Sequence, residues 1–104
     1  MKTTFINLTP HAVVLNDGTT FPPSGGVARV SATYSDFDSN GVAVVKFGEP
    51  VGLPSPRKGF VFIVSGLLEQ ACPQRTDLVS PATGHPACVR DEQGRILSVP
   101  GFVR

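Results

Sequence analysis

The sequence has little charge and no tryptophan. Only 16% of its 104 residues are charged, against about 25% in a typical soluble domain. The net charge is +1 and the cations form no polybasic tract. This argues against duplex nucleic acid as a partner, because binding DNA or RNA needs clustered lysine and arginine. Low charge favours instead a surface that is partly covered by further copies of the chain, and we predict a homo-oligomer.

Long apolar segments and a cysteine framework are also missing. The longest apolar run, Phe60–Val64, is far shorter than the ~20 residues that cross a membrane. No apolar core follows Met1–Phe5, as a signal peptide would require. Cys72 and Cys88 are too few for a disulfide framework, and we expect both to be buried thiols in a reducing compartment. These features predict a cytoplasmic protein with no membrane partner.

The usual signatures of catalysis are not present in the sequence. It contains no G-x-S-x-G, no Walker loop and no G-x-G-x-x-G. A zinc site built from His11, His85, Cys72 and Cys88 would lack the close ligand spacing of known zinc motifs. The carboxylates are few and scattered, which disfavours paired acid–base chemistry. We therefore predict no metal, no cofactor and no catalytic residue.

The best-defined fold element is Gly59–Pro73. It opens with Phe60–Val64, whose aromatic and β-branched residues are typical of a strand buried on both faces. Ser65 is predicted to cap a helix of about two turns, and Pro73 ends that helix. With 11 glycines and 10 prolines, the remaining chain favours short strands joined by turns.

Further strands are predicted at Thr3–Leu8, Ala12–Leu15, Val27–Ser31 and Gly41–Phe47, with hairpin turns at Asn16–Thr19 and around Gly94. Ala32–Asn40 is read as a strand edge or a loop, and Gln74–Val79 as a helical turn or a short strand. Phe102–Arg104 is expected to follow the last strand without regular secondary structure. The predicted fold is a single domain over residues 1–104 of the α+β class. It has a mostly antiparallel or small barrel-like sheet and one short helix after the central strand.

A candidate anion site rests on two patterns. Five of the six arginines lie in the second half of the chain, and arginine is suited to bidentate recognition of phosphate or carboxylate. A helix that starts at Ser65-Gly66 also offers free N–H groups to an anion. The predicted ligand-binding residues are Ser65, Gly66, Arg29, Arg57, Lys58, Arg90, Arg95 and His11. The plainer alternatives are that Ser65 only caps its helix, that the arginines are solvated or paired, and that His11 caps a turn.

An ordered set of short segments runs through nearly the whole chain. It consists of Asn7–His11, Pro22–Gly25 with Val27–Arg29, Gly52–Pro54, Phe62–Ser65 and Val89–Ile96. This set resembles a family of small uncharacterised proteins carried by bacteriophages, prophages and actinobacteria. The resemblance implies an accessory phage gene.

Several other phage proteins of this size counter bacterial immunity by sequestering nucleotide second messengers, usually as homo-oligomers with arginine-lined pockets. By this analogy we predict a non-enzymatic counter-defence sponge that binds an anionic, nucleotide-derived signalling molecule in the host cytoplasm. The main alternative is a phage interaction or structural accessory protein without a small-molecule ligand. A small hydrolase that uses His11 ranks third.

Overall fold

The computed structural model describes residues 3–104. Met1 and Lys2, part of the segment for which the sequence predicts no signal peptide, lie outside the described residues. The elements are β1 Thr4–Asn7, β2 Val13–Val14, β3 Thr20–Phe21, β4 Ala32–Tyr34, β5 Val45–Phe47, β6 Phe60–Ile63, α1 Gly66–Ala71, β7 Leu78–Pro81, β8 Val89–Arg90, β9 Ile96–Ser98 and β10 Phe102–Val103. Within this range no helix has the length and apolar character needed to cross a membrane.

The main sheet has the strand order β1-β6-β7-β10. β1 pairs with β6 in parallel, with Thr4 opposite Phe60, and β6 pairs with β7 in parallel, with Phe62 opposite Leu78. β10 joins the far edge in the antiparallel sense. The pairs β2–β3, β4–β5 and β8–β9 form separate antiparallel ribbons. The α+β class with mostly antiparallel pairing is thus confirmed, and no sheet within the described range closes into a barrel.

The parallel centre of the main sheet follows from its connections. Strands β6 and β7 are linked through α1, and a crossover that includes a helix is what joins neighbouring parallel strands. β6 is the central strand, as predicted, and its side chains alternate between two buried clusters. Phe62 and Val64 face the cluster on the helix side, whereas Ile63 faces the other. Ile63 and Val64 are fully buried, which confirms a strand covered on both faces.

The helix begins where the sequence predicts. Ser65 is its N-cap, and the Ser65 Oγ accepts a hydrogen bond from the Leu68 N–H at 3.2 Å. The helix ends at Ala71, with Cys72 as the C-cap, so it is six residues long. Leu68 is fully buried against the sheet together with Leu78. Cys72 is buried as expected, but Cys88 is only half-buried.

Two strand predictions in the first half are wrong in extent. Val27–Ser31 forms no strand; only Arg29 bridges to Val51, through two backbone hydrogen bonds of 2.8 Å. The preceding Pro-Pro-Ser-Gly-Gly segment keeps this stretch irregular, because proline withholds a donor and glycine loses more conformational freedom on ordering. Of Gly41–Phe47, only Val45–Phe47 is a strand, and Ala32–Tyr34, in the segment left open as an edge or loop, is its partner.

Two segments in the last third of the chain form strands, the first in line with the short-strand alternative and the second against the prediction. Gln74–Val79 yields the strand β7, which starts at Leu78 and extends to Pro81. Phe102–Val103 does not trail but pairs with Ser80 and Pro81 as β10. The Phe102 ring stacks on Phe5 at 5.5 Å between centroids, and Phe21 completes the aromatic group at the same spacing. This aromatic contact attaches the end of the chain to the sheet.

The molecule is flat and less compact than is usual for its length. Its radius of gyration is 15.6 Å and its extents are 48 × 39 × 22 Å, whereas about 13 Å is typical of a compact chain of this size. The β4–β5 ribbon, residues 32–47, carries much of the exposed apolar surface, including Tyr34 and Phe37, which are 73% and 74% exposed. One face of the ribbon holds the paired residues Tyr34 and Val45 together with Ala32 and Phe47.

Candidate functional site

An open cavity of about 740 Å³ lies at one edge of the main sheet. It is lined by residues that follow β1 (Thr9 and His11), residues that follow β6 (Val64 to Gly66), and the end of β7 with its loop, from Ser80 to His85. Because β1, β6 and β7 are parallel, their carboxyl ends meet at this edge. In open α/β sheets ligands bind outside the carboxyl ends of the strands, and the cavity lies at the corresponding edge of this sheet.

The wall of this cavity is mostly apolar. β2 contributes Val13 and Val14, and β9 contributes Ile96 and Leu97, which are 44% and 56% exposed. A smaller number of polar groups is distributed among these apolar residues: Thr9, His11, Ser65, Ser80, Thr83, His85 and Ser98. An apolar wall with a few polar groups is typical of sites that bind small organic molecules.

The loop that carries His11 is held by one buried amide, Asn7, at the end of β1. Asn7 is 2% exposed. Its Nδ2 donates to the carbonyls of His11 and Phe21 at 2.9 Å each, and its Oδ1 accepts from the Thr9 N–H at 2.9 Å and from the Thr9 hydroxyl at 2.6 Å. All the hydrogen-bonding capacity of the amide is therefore used. Asn7 positions His11 at the cavity.

Sequence reasoning missed Asn7 as a positioning residue. The signal that was present is the Asn-x-Thr-Pro spacing, since asparagine commonly hydrogen-bonds the backbone two residues further on. The bonds to His11 and Phe21 depend on the fold and have no local signature.

The opposite rim of the cavity is fixed by His85 and Arg90. The Nδ1 of His85 accepts a hydrogen bond from the Ala87 N–H at 3.0 Å, so in the neutral imidazole the proton lies on Nε2. Arg90 donates to the carbonyl of Thr83 at 3.1 Å and to that of Gly94 at 2.9 Å. Arg90 thus connects the rim loop to the β8–β9 hairpin.

A buried polar pair lies in the wall between the helix and β7. Ser80 is 4% exposed, and its Oγ donates to Glu69 Oε1 at 2.9 Å. The second oxygen, Glu69 Oε2, is buried and has no hydrogen-bond partner among residues 3–104. Neither residue was singled out from the sequence, because their pairing depends on the packing of α1 against β7.

The predicted cations are distributed unevenly around this site. Arg29 lines a second, smaller cavity of about 260 Å³, which shares Thr9 and Ser65 with the large one. Arg57 lies over the Phe60 ring, 4.5 Å from its centroid. Arg57, Lys58, Arg90 and Arg95 line neither cavity.

Arg95 is both paired and solvated, which is the alternative to ligand binding that the sequence also allowed. Arg95 Nε lies 2.9 Å from Asp91 Oδ2, and the Arg95 side chain is 74% exposed. Hydrogen bonds from the backbone N–H and the side chain of Arg95 lower the pKa of Asp91. Arg75, which was not among the predicted ligands, forms a two-bond pair with Asp77 at 2.8 Å, and these bonds lower the pKa of Asp77.

The structure therefore brings together Ser65, Gly66 and His11 in the large cavity, and places Arg29 in the cavity next to it. The chain matches no protein-family model, no curated protein and no solved structure. The resemblance to small phage proteins thus stays a prediction. Among the described residues, no three histidine, cysteine, aspartate or glutamate side chains form a group that could hold a metal ion.

Proposed function

We propose that this chain is a non-enzymatic binding protein that holds a small, nucleotide-like molecule at the carboxyl edge of its main sheet. The observation that carries the proposal is the cavity of about 740 Å³ formed by residues that follow three parallel strands. Its volume lies within the range of about 300–1,000 Å³ that is common for small-molecule sites. A nucleobase has flat apolar faces and a polar edge, which matches an apolar wall with a few polar groups.

The second cavity supports an anionic end on the ligand. Because Thr9 and Ser65 line both cavities, a ligand whose ring lies in the large one can extend past Ser65 towards Arg29. The backbone of Arg29 is held by its two hydrogen bonds to Val51. A guanidinium in this position suits a phosphate, to which it can donate two hydrogen bonds.

The biological role that we propose follows from the resemblance to phage proteins. In that setting the chain would remove an anionic, nucleotide-derived signal from the host cytoplasm and so act as a counter-defence sponge, without changing the ligand chemically. Assembly into a homo-oligomer belongs to the same proposal, and the exposed apolar residues of the ribbon support it.

A binding panel tests this function. Cyclic dinucleotides and ADP-ribose derivatives are added to the purified chain, and a bound ligand raises the unfolding temperature because it binds only the folded state. For a ligand that binds, Arg29→Gln should lower the affinity for the phosphorylated form by about tenfold, the effect of losing a charge-assisted hydrogen bond. The affinity for the corresponding nucleoside should not change. Lys46→Gln, which removes one cation from the ribbon, is the matched control.

Two results would contradict the proposal. One is that no member of the panel raises the unfolding temperature. The other is that ligands bind but perturb no amide resonance of residues 9–14, 64–66 or 80–85, because the site would then lie elsewhere.

The exposed ribbon favours a second candidate function, that of an interaction or structural accessory protein. Tyr34, Phe37 and Val44 are 73%, 74% and 60% exposed, and a two-stranded ribbon is only marginally stable without a covering surface. A protein partner that wraps around the ribbon would bury these side chains. Capture of one stoichiometric protein, lost on Tyr34→Ser and retained on Arg95→Gln, together with no ligand in the panel, would favour this candidate.

A further inference from the structure

We propose that Ser80 determines the specificity of the large cavity and selects ligands that present an N–H donor to it. This inference rests on the proposed binding function and deepens it, since it names a chemical feature of the ligand. Its basis is the hydrogen bond that Ser80 Oγ donates to Glu69 Oε1 at 2.9 Å. Ser80 belongs to the cavity wall and is 4% exposed.

A serine hydroxyl has one proton and two lone pairs. In this structure its proton is directed at a carboxylate, which has no proton to share and accepts strongly. The Ser80 oxygen is then left with lone pairs only. A group in the cavity that approaches Ser80 must therefore donate, whereas a second acceptor would face two lone pairs and be repelled.

The carboxylate behind Ser80 acts on the ligand only through the serine. Glu69 lines neither cavity, and its Oε2 is buried without a hydrogen-bond partner among the described residues. The donor on the ligand is therefore selected at the Ser80 oxygen. An amide or amino N–H on the edge of a flat heterocycle has the required chemistry, and the apolar wall formed by Val13, Val14 and Leu97 suits its faces.

A pair of probes with nearly the same shape tests the inference. Indole carries a ring N–H, and benzofuran has an oxygen in its place. Each is titrated into the full chain and followed by the amide resonances of residues 64–66 and 80–85. We expect indole to bind about three- to tenfold more tightly than benzofuran, the range that one net hydrogen bond gives.

Two variants separate the role of Ser80 from a general effect on the cavity. Ser80→Ala should bring the two probes to within twofold of each other. Glu69→Leu removes the acceptor of the serine proton and offers no other, so the hydroxyl can donate to a ligand as well as accept, and the two probes should again come to within twofold of each other. Glu69→Leu also serves if Ser80→Ala fails to fold, and Ser55→Ala, exposed and outside the cavity, is the matched control.

The outcomes distinguish this inference from the proposed function. If both probes bind the cavity equally in the wild-type chain, or if indole keeps its advantage in Ser80→Ala or Glu69→Leu, the inference is overturned and the cavity remains a binding site. If neither probe perturbs the cavity resonances, the inference is overturned, whereas the proposed function is decided separately by the nucleotide panel.

Discussion

The edge of the main sheet and the β4–β5 ribbon are stabilised by different means. At the sheet edge, Val64 and Leu68 are fully buried and the loop is held by the buried Asn7. The ribbon shows most of its apolar residues to solvent and is held by local hydrogen bonds, such as those that the Asp38 carboxylate accepts from the N–H groups of Asn40 and Val42. The difference indicates a preformed site at the sheet and a weakly supported arm in the ribbon.

The largest expected contrast concerns one apolar side chain in each region. Leu68→Ala removes a fully buried side chain of the helix and should lower the free energy of unfolding by about 2–5 kcal/mol. Tyr34→Ala, at a 73% exposed position of the ribbon, should change it by less than about 0.5 kcal/mol in the single chain. Urea unfolding measures both.

Equal losses in the two variants would break the comparison. In particular, a large loss in Tyr34→Ala that depends on protein concentration would show that a further copy of the chain covers the ribbon.

The second contrast concerns the two side chains that hold loops. Asn7→Ala removes all four hydrogen bonds of a 2% exposed amide and should cost about 1–3 kcal/mol, although the His11 carbonyl keeps the Thr9 hydroxyl as a donor. Asp38→Ala breaks two hydrogen bonds in a turn open to water and should cost only about 1 kcal/mol, because water replaces the lost acceptor. Urea unfolding compares the two.

Asn7→Ala should also shift the imidazole resonances of His11, since the loop loses its attachment. An unchanged His11 signal together with a small loss of stability would show that Asn7 does not position that side chain.

The third contrast uses two glycines in the left-handed region. Gly52 has φ +81°, and a Cβ there would lie 2.5 Å from the carbonyl oxygen of Val27, whereas Gly41, at φ +80° in the ribbon turn, has no atom within 4 Å of that position. Gly41→Ala should cost about 1–2 kcal/mol for the conformation alone. Gly52→Ala should cost more, because the backbone of the Arg29–Val51 bridge must also move. Equal losses of unfolding free energy in the two variants would mean that the backbone around Val27 moves aside without a measurable cost.

Much of the local structure could be predicted from the sequence, because the decisive interactions lie close together in the chain. Phe60–Val64 and the Ser65 cap are examples, since the strand and the helix N-cap depend on adjacent residues. The cavity could not be predicted in this way. It depends on the parallel pairing of Thr4 with Phe60 and of Phe62 with Leu78, which joins segments that are far apart and carry no mutual signal.

The candidate site was predicted in part for the same reason. Ser65 and Gly66 form a local strand–helix turn, whose position depends only on adjacent residues and can therefore be predicted from the sequence. The positions of Arg90 and Arg95 depend on the geometry of the β8–β9 hairpin, which directs them to backbone carbonyls and to Asp91. The number of arginines in the second half of the chain therefore said little about which of them reach the cavity.

The smallest expected effect extends the comparison to ion pairs and is read from its pH dependence. The hydrogen bonds from Arg75 lower the pKa of Asp77 below its ordinary value of 3.8, so the folded state binds this proton less readily than the unfolded state does. The stabilisation is then complete above about pH 4 and is lost as the pH falls through the lower pKa of the folded state. Asp77→Asn should cost at most about 1 kcal/mol at pH 7, because the asparagine carbonyl can still accept one of the two hydrogen bonds from Arg75.

The measurement is the difference in unfolding free energy between the wild-type chain and Asp77→Asn from pH 7 down to pH 2.5. Asp91→Asn is the matched variant, and its partner Arg95 is 74% exposed. The difference for Asp77→Asn should shrink towards zero at the acid end, since the wild-type carboxyl is then neutral as well. A difference that persists unchanged to pH 2.5 would assign the loss to the bonds of Arg75 with Pro54 and its surroundings, and the charge of Asp77 would have no part in it.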